Sequence, residues 1–211
     1  MFFIKFSIQA IYQMIFKNLK QNIDIEDSAF NKLYSTRIRR LAERHWTPVA
    51  IAKIAADYLV DKPNKKVLDI GAGVGKFCLV GAASTKGIFY GVEQRASLIK
   101  LSKKIAEKHN VENVEFIHSN ITDISFSDYD AFYFYNSFFE NVDTSCPIDK
   151  IVVPNNELFQ SYSNYVREQL NKTPKYTRLV TYWSTWEEIP ESFNLEHSEL
   201  NGVLNFWRKM S

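Results

Sequence analysis

The sequence is poor in cysteine, glycine and proline. It contains 2 Cys, 7 Gly and 6 Pro in 211 residues. So few Gly and Pro exclude collagen-like and low-complexity disordered classes. Cys78 and Cys146 do not stand at metal-ligand spacing from each other or from the four His, so no metal site is predicted. Two unpaired cysteines favour a reducing compartment, and we expect a cytoplasmic protein.

A long hydrophobic run is also missing. The apolar stretch 1–16 is interrupted by Lys5, Gln9 and Gln13, and Lys17 follows it directly. This excludes a transmembrane helix, and the absence of a cleavage pattern argues against a signal peptide. Apolar residues at helical spacing predict an amphipathic helix: Ile8, Ile11, Ile15 and Leu19. Its apolar face is expected to pack on the core, with a partner or a membrane surface as alternatives.

Charge of one sign is not in excess. The net charge of +2 comes from 26 basic and 24 acidic residues, which gives no strong nucleic-acid signature. The densest basic cluster consists of Arg37, Arg39, Arg40 and Arg44. A solvated helix face is the favoured interpretation of this cluster, and a functional patch is the alternative.

The chain changes character near residue 60. Before it, the pattern is helical: Leu33–Arg44 is predicted as one helix, and Thr47 as the N-cap of a helix that runs to about Val60. After it, short apolar runs alternate with amphipathic segments. The predicted strands are Val67–Ile70, Ile88–Val92, Val114–Ile117, Ala131–Tyr135 and Tyr176–Trp183, followed by a hairpin of Phe193–Glu196 and Val203–Trp207.

This alternation predicts an α/β fold: a three-layer sandwich with a mostly parallel seven-stranded sheet whose last strand is antiparallel. Residues 1–60 are expected to form an N-terminal helical extension or lid. Residues 61–211 are expected to form a single compact domain.

The segment Val67–Lys76 carries the strongest functional signal. A strand must turn sharply into a helix here, and Gly71, Gly73 and Gly75 permit both the turn and the close approach of a ligand. The pattern departs from the dinucleotide fingerprint and lacks the Gly-Lys-Ser/Thr of a phosphate-binding loop. Asp69 suits the ammonium group of a cationic sulfonium cofactor with an amino-acid tail.

An acidic residue ends the second strand. Glu93 follows Asp69 by 24 residues, near the position where nucleotide-binding sheets place an acceptor for ribose hydroxyls. A tight turn without function is the alternative for the glycine loop. It does not explain why strand, Asp69, three glycines, helix and Glu93 occur together.

The two segments VLDIGAGVGKF and YGVEQ resemble the first two motifs of the class I, seven-strand methyltransferases. The resemblance implies S-adenosylmethionine as cofactor and a methyl acceptor as partner. It also implies an adenine contact after the third strand, where Asn120 is expected to accept from the amino group and the Ile121 amide to contact a ring nitrogen. Asp123 is a rival for this role, and a non-catalytic cofactor-binding protein is the alternative function.

The end of the fourth strand supplies the catalytic candidates. Asn136 offers a carbonyl that can hold an N–H, and Phe138 or Phe139 can wall the methyl-transfer pocket. The segment partly resembles the Asn-Pro-Pro-aromatic motif of amino-directed methyltransferases and the Asn-Asn-Phe motif of non-SET histone lysine methyltransferases. Both imply a nitrogen acceptor, with a protein lysine as first choice and a small molecule as alternative. A strand-end turn with core Phe residues is the structural alternative.

Overall fold

The computed structural model describes the backbone of residues 8–211 and side chains from Met14 onward; Met1–Ser7 lie outside the described residues. Its helices are α1 (Ile8–Lys20), α2 (Asp27–Phe30), α3 (Thr36–Arg40), α4 (Ala42–His45), α5 (Val49–Leu59), α6 (Lys76–Ser84), α7 (Ala96–His109) and α8 (Asn156–Asn171). Its strands are β1 (Lys66–Ile70), β2 (Ile88–Glu93), β3 (Val114–His118), β4 (Ala131–Tyr135), β5 (Arg178–Tyr182), β6 (Phe193–Glu199) and β7 (Leu204–Lys209).

The seven strands form one sheet in the order β3-β2-β1-β4-β5-β7-β6. Neighbouring strands from β3 to β5 run parallel, and β7 lies antiparallel to both β5 and β6. The predicted fold class and the antiparallel last strand are confirmed. β5 is shorter than the predicted Tyr176–Trp183, because both of those residues have positive φ and so cannot continue a strand.

Both faces of the sheet are buried at its central strands β1 and β4, as a parallel sheet requires, whereas the edge strand β6 is mostly exposed. In β1, Val67 packs in the cluster that holds α1, α5 and α6, whereas Leu68 and Ile70 pack in the cluster that holds α8. Alternate residues of a strand point to opposite faces, so β1 lies between two helical layers. The α1 residues Ile15 and Leu19 are buried in the first cluster, which places that helix face on the core.

The prediction of one helix over Leu33–Arg44 is wrong. The chain forms a 3₁₀ turn over Asn31–Leu33, then α3 and α4. Tyr34 (φ −100°, ψ 156°) and Ser35 (φ −63°, ψ 160°) are extended and interrupt the helix. This backbone directs the buried Tyr34 ring inward, where its hydroxyl donates to the Val74 carbonyl at 3.5 Å.

The prediction of Thr47 as an N-cap is also wrong. Pro48 occupies the cap position of α5 and offers no side-chain hydrogen bond. Thr47 Oγ1 instead pairs with the hydroxyl of Tyr133 at 2.9 Å, and the Val49 amide donates to Asp27 Oδ1 at 3.1 Å. The cap therefore comes from α2, 22 residues earlier in the chain.

Among the helices of residues 8–211, none combines the length and the apolarity that crossing a bilayer demands.

Candidate cofactor and acceptor site

The predicted site residues converge at one edge of the sheet. β1 is hydrogen-bonded to β2 on one side and to β4 on the other, with Asp69 in register with Gly91 and Tyr133. Because these strands are parallel, the loop after β1, Glu93 at the end of β2 and Asn136 after β4 all emerge at the carboxyl edge. This is where open α/β sheets bind their ligands.

The glycine loop has the conformation that its sequence requires. Gly71, Gly73 and Gly75 have φ of +78°, +53° and +71°. A Cβ on Gly71 would lie 2.4 Å from the Ser137 side chain, and one on Gly73 would lie 2.5 Å from the Trp46 ring. Both the backbone angles and the close packing therefore exclude larger residues in this loop.

Asp69 is a buried carboxylate without a cationic partner in the described part of the chain. Its side chain is 4% exposed, and its hydrogen-bond donor is the weak thiol of Cys78, 3.4 Å away. Burial raises the pKa of Asp69 to about 7, and the negative charge of Glu93 contributes in the same direction. A carboxylate in this situation gains most from a cationic ligand, which fits the ammonium group of the cofactor.

Glu93 is held in place by backbone amides. Its Oε2 accepts from Gly73 N at 3.1 Å, and its Oε1 accepts from Arg95 N at 2.8 Å. Burial raises the pKa of Glu93, while these amides and the Arg95 charge act in the opposite direction. The fixed carboxylate fits the predicted role of accepting ribose hydroxyls.

Arg95 joins Glu93 to the β4–α8 connection, residues 136–155, and sequence reasoning missed it. The guanidinium forms two hydrogen bonds with Glu140, at 2.9 and 2.7 Å, and its Nε donates to Asp149 at 3.1 Å. Its side chain is only 3% exposed. No local motif reveals this cluster, because Glu140 and Asp149 follow Arg95 by 45 and 54 residues.

Asn120 and Ile121 line a small cavity beside Glu93, together with Phe138 and Tyr162. The Asn120 carbonyl is already engaged: Oδ1 accepts from the amide and the hydroxyl of Thr122, at 3.1 and 3.0 Å. Its Nδ2 donates to the Tyr162 hydroxyl at 2.9 Å. The rival Asp123 is exposed and does not line this cavity.

The two catalytic candidates lie in different hollows. Asn136 lines a cleft of about 710 Å³, to which Phe139 also contributes. Asn136 has φ +39°, and within residues 8–211 its side chain has no hydrogen-bond partner. Phe138 is buried and lines the cavity of Asn120 instead, with its ring 5.2 Å from Phe134 and 5.3 Å from Tyr162. The structure thus brings Asn136 together with Phe139 rather than with Phe138.

The N-terminal helices and the β4–α8 connection meet over the cleft. His45 Nε2 lies 2.8 Å from the Cys146 carbonyl, and Arg44 forms an ion pair with Asp143. Burial lowers the pKa of His45, which favours the neutral form of the ring. These contacts connect α4 to the β4–α8 connection, and the lid role of the N-terminal helices stays a prediction. In residues 8–211, no group of His, Cys, Asp and Glu is arranged to hold a metal ion.

Comparison with known proteins identifies the family. The family model described as "Methyltransferase domain" matches residues 61–202. The chain is 36% identical over 73 residues to the 23S rRNA (uracil(1939)-C(5))-methyltransferase RlmD of Shewanella sediminis (strain HAW-EB3); the match covers 35% of this chain but only 16% of that relative.

Solved structures share the fold. TrmN from Thermus thermophilus is similar with a TM-score of 0.58 and 19% identity, over 83% of this chain and 53% of that one. An RNA methyltransferase from Salinibacter ruber in complex with S-adenosyl-L-homocysteine has a TM-score of 0.54 and 17% identity, over 78% of this chain and 92% of that one. The glycine loop, Asp69 and Glu93 fit the same cofactor. The chain therefore belongs to the methyltransferase domain family, with the class I, Rossmann-like fold and a site for S-adenosylmethionine.

Proposed function

We propose that this protein transfers a methyl group from S-adenosylmethionine to a nitrogen atom of an RNA base. The observation that carries the proposal is the Asn136 amide, which lines the cleft beside the glycine loop and has no partner in the described chain. The names of the rRNA methyltransferase and of the Salinibacter RNA methyltransferase support RNA as the acceptor class. Neither comparison supports a protein lysine, the first choice from the sequence.

For methyl transfer, the main task of the protein is to align the acceptor nitrogen with the methyl group. When bound, S-adenosylmethionine would supply an electrophilic methyl group on its sulfonium: the N–C bond would form as the S–C bond broke, and the electron pair of that bond would return to sulfur. The Asn136 carbonyl accepts an N–H of the acceptor and turns the nitrogen lone pair toward the methyl group. The methylated nitrogen then loses its extra proton to water. Because Asn136 carries no charge, it orients a neutral amine without protonating it.

The mouth of the cleft offers an aromatic ring and a basic side chain. Trp183 lines it and is 55% exposed, and a φ of +52° turns the chain there out of β5. Arg40 lines the same cleft, and Arg37 and Arg39 lie on the same helix. An exposed indole and an arginine that line the same cleft suit the stacking of an unpaired base and contact with its phosphates. On this proposal, the arginine cluster is a functional patch rather than a solvated face.

A small-molecule acceptor is the second candidate. It is favoured by the contacts that close over the cleft, here called the roof. The Arg44–Asp143 ion pair and the contact of His45 with Cys146 join the N-terminal helices to the β4–α8 connection. An RNA base must enter beside this roof or displace it, whereas a small molecule is enclosed by it.

Incubation with methyl-labelled cofactor and separated RNA, protein and small-molecule fractions of a cell extract tests the proposal. Label in the RNA fraction that ribonuclease and phosphatase together release as an N-methylated nucleoside supports it. Replacing Trp183 by Ala should weaken RNA binding about 10-fold, since stacking contributes about 1–3 kcal/mol per base. Trp186→Ala is the matched control, because Trp186 packs on Trp207 and does not line the cleft. Ribonuclease-resistant label in the small-molecule or protein fraction would overturn the RNA assignment.

A further inference from the structure

A buried amide oxygen in the cavity beside Glu93 lacks a hydrogen-bond partner. Asn141 is 4% exposed and lines this cavity, yet its Oδ1 has no donor within the described part of the chain. An unsatisfied buried carbonyl is costly, so native structures rarely keep one without a reason. The atom needs a donor, and a ligand in the cavity can supply one.

The orientation of this amide is fixed. Asn141 Nδ2 donates to the Phe138 carbonyl at 3.0 Å. Rotating the amide by 180° would place Oδ1 against that carbonyl and set two acceptors face to face. The hydrogen bond to the Phe138 carbonyl therefore fixes the amide orientation in which Oδ1 is the atom without a donor.

The acceptor expected from the sequence is not in this position. Both lone pairs of Asn120 Oδ1 are used by Thr122, which leaves no capacity for the adenine amino group. Gln94 and Ser119 also line the cavity, but both are partly exposed and can reach water. Among the described residues of the cavity, Asn141 is the one with a buried side-chain atom left without a partner.

We infer that Asn141 recognises the adenine of S-adenosylmethionine, with Oδ1 accepting a hydrogen bond from the 6-amino group. Asn141 is thus a specificity-determining residue, contributed by the β4–α8 connection rather than by the segment after β3. The cavity is narrow, at about 40 Å³, and its lining combines the rings of Phe138 and Tyr162 with the polar side chains of Glu93 and Asn141. The inference concerns the cofactor alone and is independent of the identity of the acceptor.

A double-mutant cycle between protein and ligand tests it. Calorimetry would measure binding of S-adenosylhomocysteine and of its analogue with hydrogen at purine C6. The wild-type protein should bind the analogue about 3- to 10-fold more weakly, as expected for one hydrogen bond. Asn141→Leu should bind S-adenosylhomocysteine more weakly by a similar factor and should not distinguish the two ligands.

Two further variants make the cycle specific. Asn141→Asp keeps an acceptor oxygen in the cavity, at the cost of the donor to the Phe138 carbonyl, and should retain a preference for the amino group. Asn120→Ser keeps a capping oxygen for Thr122 and should discriminate as the wild type does. A wild-type protein that binds both ligands equally would overturn the inference. So would loss of discrimination in the Asn120 variant with discrimination retained in Asn141→Leu.

Discussion

Asp27 forms an ion pair with Lys76, which follows it by 49 residues and whose side chain is 2% exposed. Asp27 Oδ1 also accepts from Val49 N, at 3.1 Å. One carboxylate thus joins α2 to the start of α5 and to the first residue after the glycine loop. The N-terminal helices and the cofactor loop are therefore coupled through Asp27.

Replacing Asp27 by Ala should lower the free energy of unfolding by about 1–3 kcal/mol, because it leaves a buried ammonium without its carboxylate and removes the cap of α5. Urea denaturation measures the change. Asp24→Ala is the matched control: Asp24 pairs with Lys53 but is 96% exposed, so its loss should cost less than about 0.5 kcal/mol. Equal effects of the two substitutions would contradict the coupling.

The sequence was sufficient where the signal was local. The positions of the strands follow from short apolar runs. The glycine loop follows from the spacing of Gly71, Gly73 and Gly75, and all three have positive φ in the structure. What could not be predicted depends on residues far apart in the chain. Asp27 replaces Thr47 as the cap of α5, and that exchange depends on how α2 packs.

The same reason explains the unpredicted parts of the site. The partners of Arg95 lie in a connection whose path no periodicity defines. Asn120 lies at the expected place, with an amide where the resembling family often has an aspartate, but a neighbouring threonine occupies its carbonyl. Motif spacing indicates which groups are near the ligand, whereas hydrogen-bond accounting shows which of them are free to bind it.

Arg95→Met should weaken binding of S-adenosylhomocysteine about 10-fold and destabilise the fold by about 3 kcal/mol, because three acidic residues lose their shared partner. Arg95→Lys should rescue only part of this loss, since an ammonium cannot form the two parallel bonds to Glu140. Calorimetry and urea denaturation measure both quantities. Arg39→Met should leave both nearly unchanged, because Arg39 is exposed and its side chain bonds only to Thr36 within residues 8–211. Unaltered affinity in Arg95→Met would show that Glu93 needs no such support.

Cofactor affinity should depend on the protonation of Asp69. Burial raises the pKa of this carboxyl to about 7, and only the ionised form attracts an ammonium group. Below about pH 7, the affinity for S-adenosylhomocysteine should therefore decrease as the pH drops, and the decrease should approach roughly 10-fold per pH unit. In this pH range the protein should release a proton when it binds the ligand. The free protein has the opposite trend: the raised pKa makes its stability decline as the pH rises from about 4 to about 7.

Calorimetry in buffers of different ionisation enthalpy, between pH 6 and 8, measures the affinity and the protons released. Burial raises the pKa of Glu93 as well, so a variant is needed to assign the effect. Asp69→Asn should bind weakly and with little pH dependence. A steep pH dependence that persists in Asp69→Asn would assign the titration to another group.

Asn136 allows its side chain to be tested apart from its backbone. Its φ of +39° is unfavourable for most residues but not for glycine, so Asn136→Gly removes the amide without adding strain. If the amide orients the acceptor, this variant should keep its melting temperature and its affinity for S-adenosylhomocysteine. Its turnover should fall about 10-fold or more, since loss of alignment raises the barrier rather than weakening cofactor binding. Phe138→Leu provides the contrast: Phe138 lines the other cavity and should affect cofactor affinity before turnover. Normal turnover in Asn136→Gly would remove Asn136 from the reaction and leave its backbone conformation as its only role.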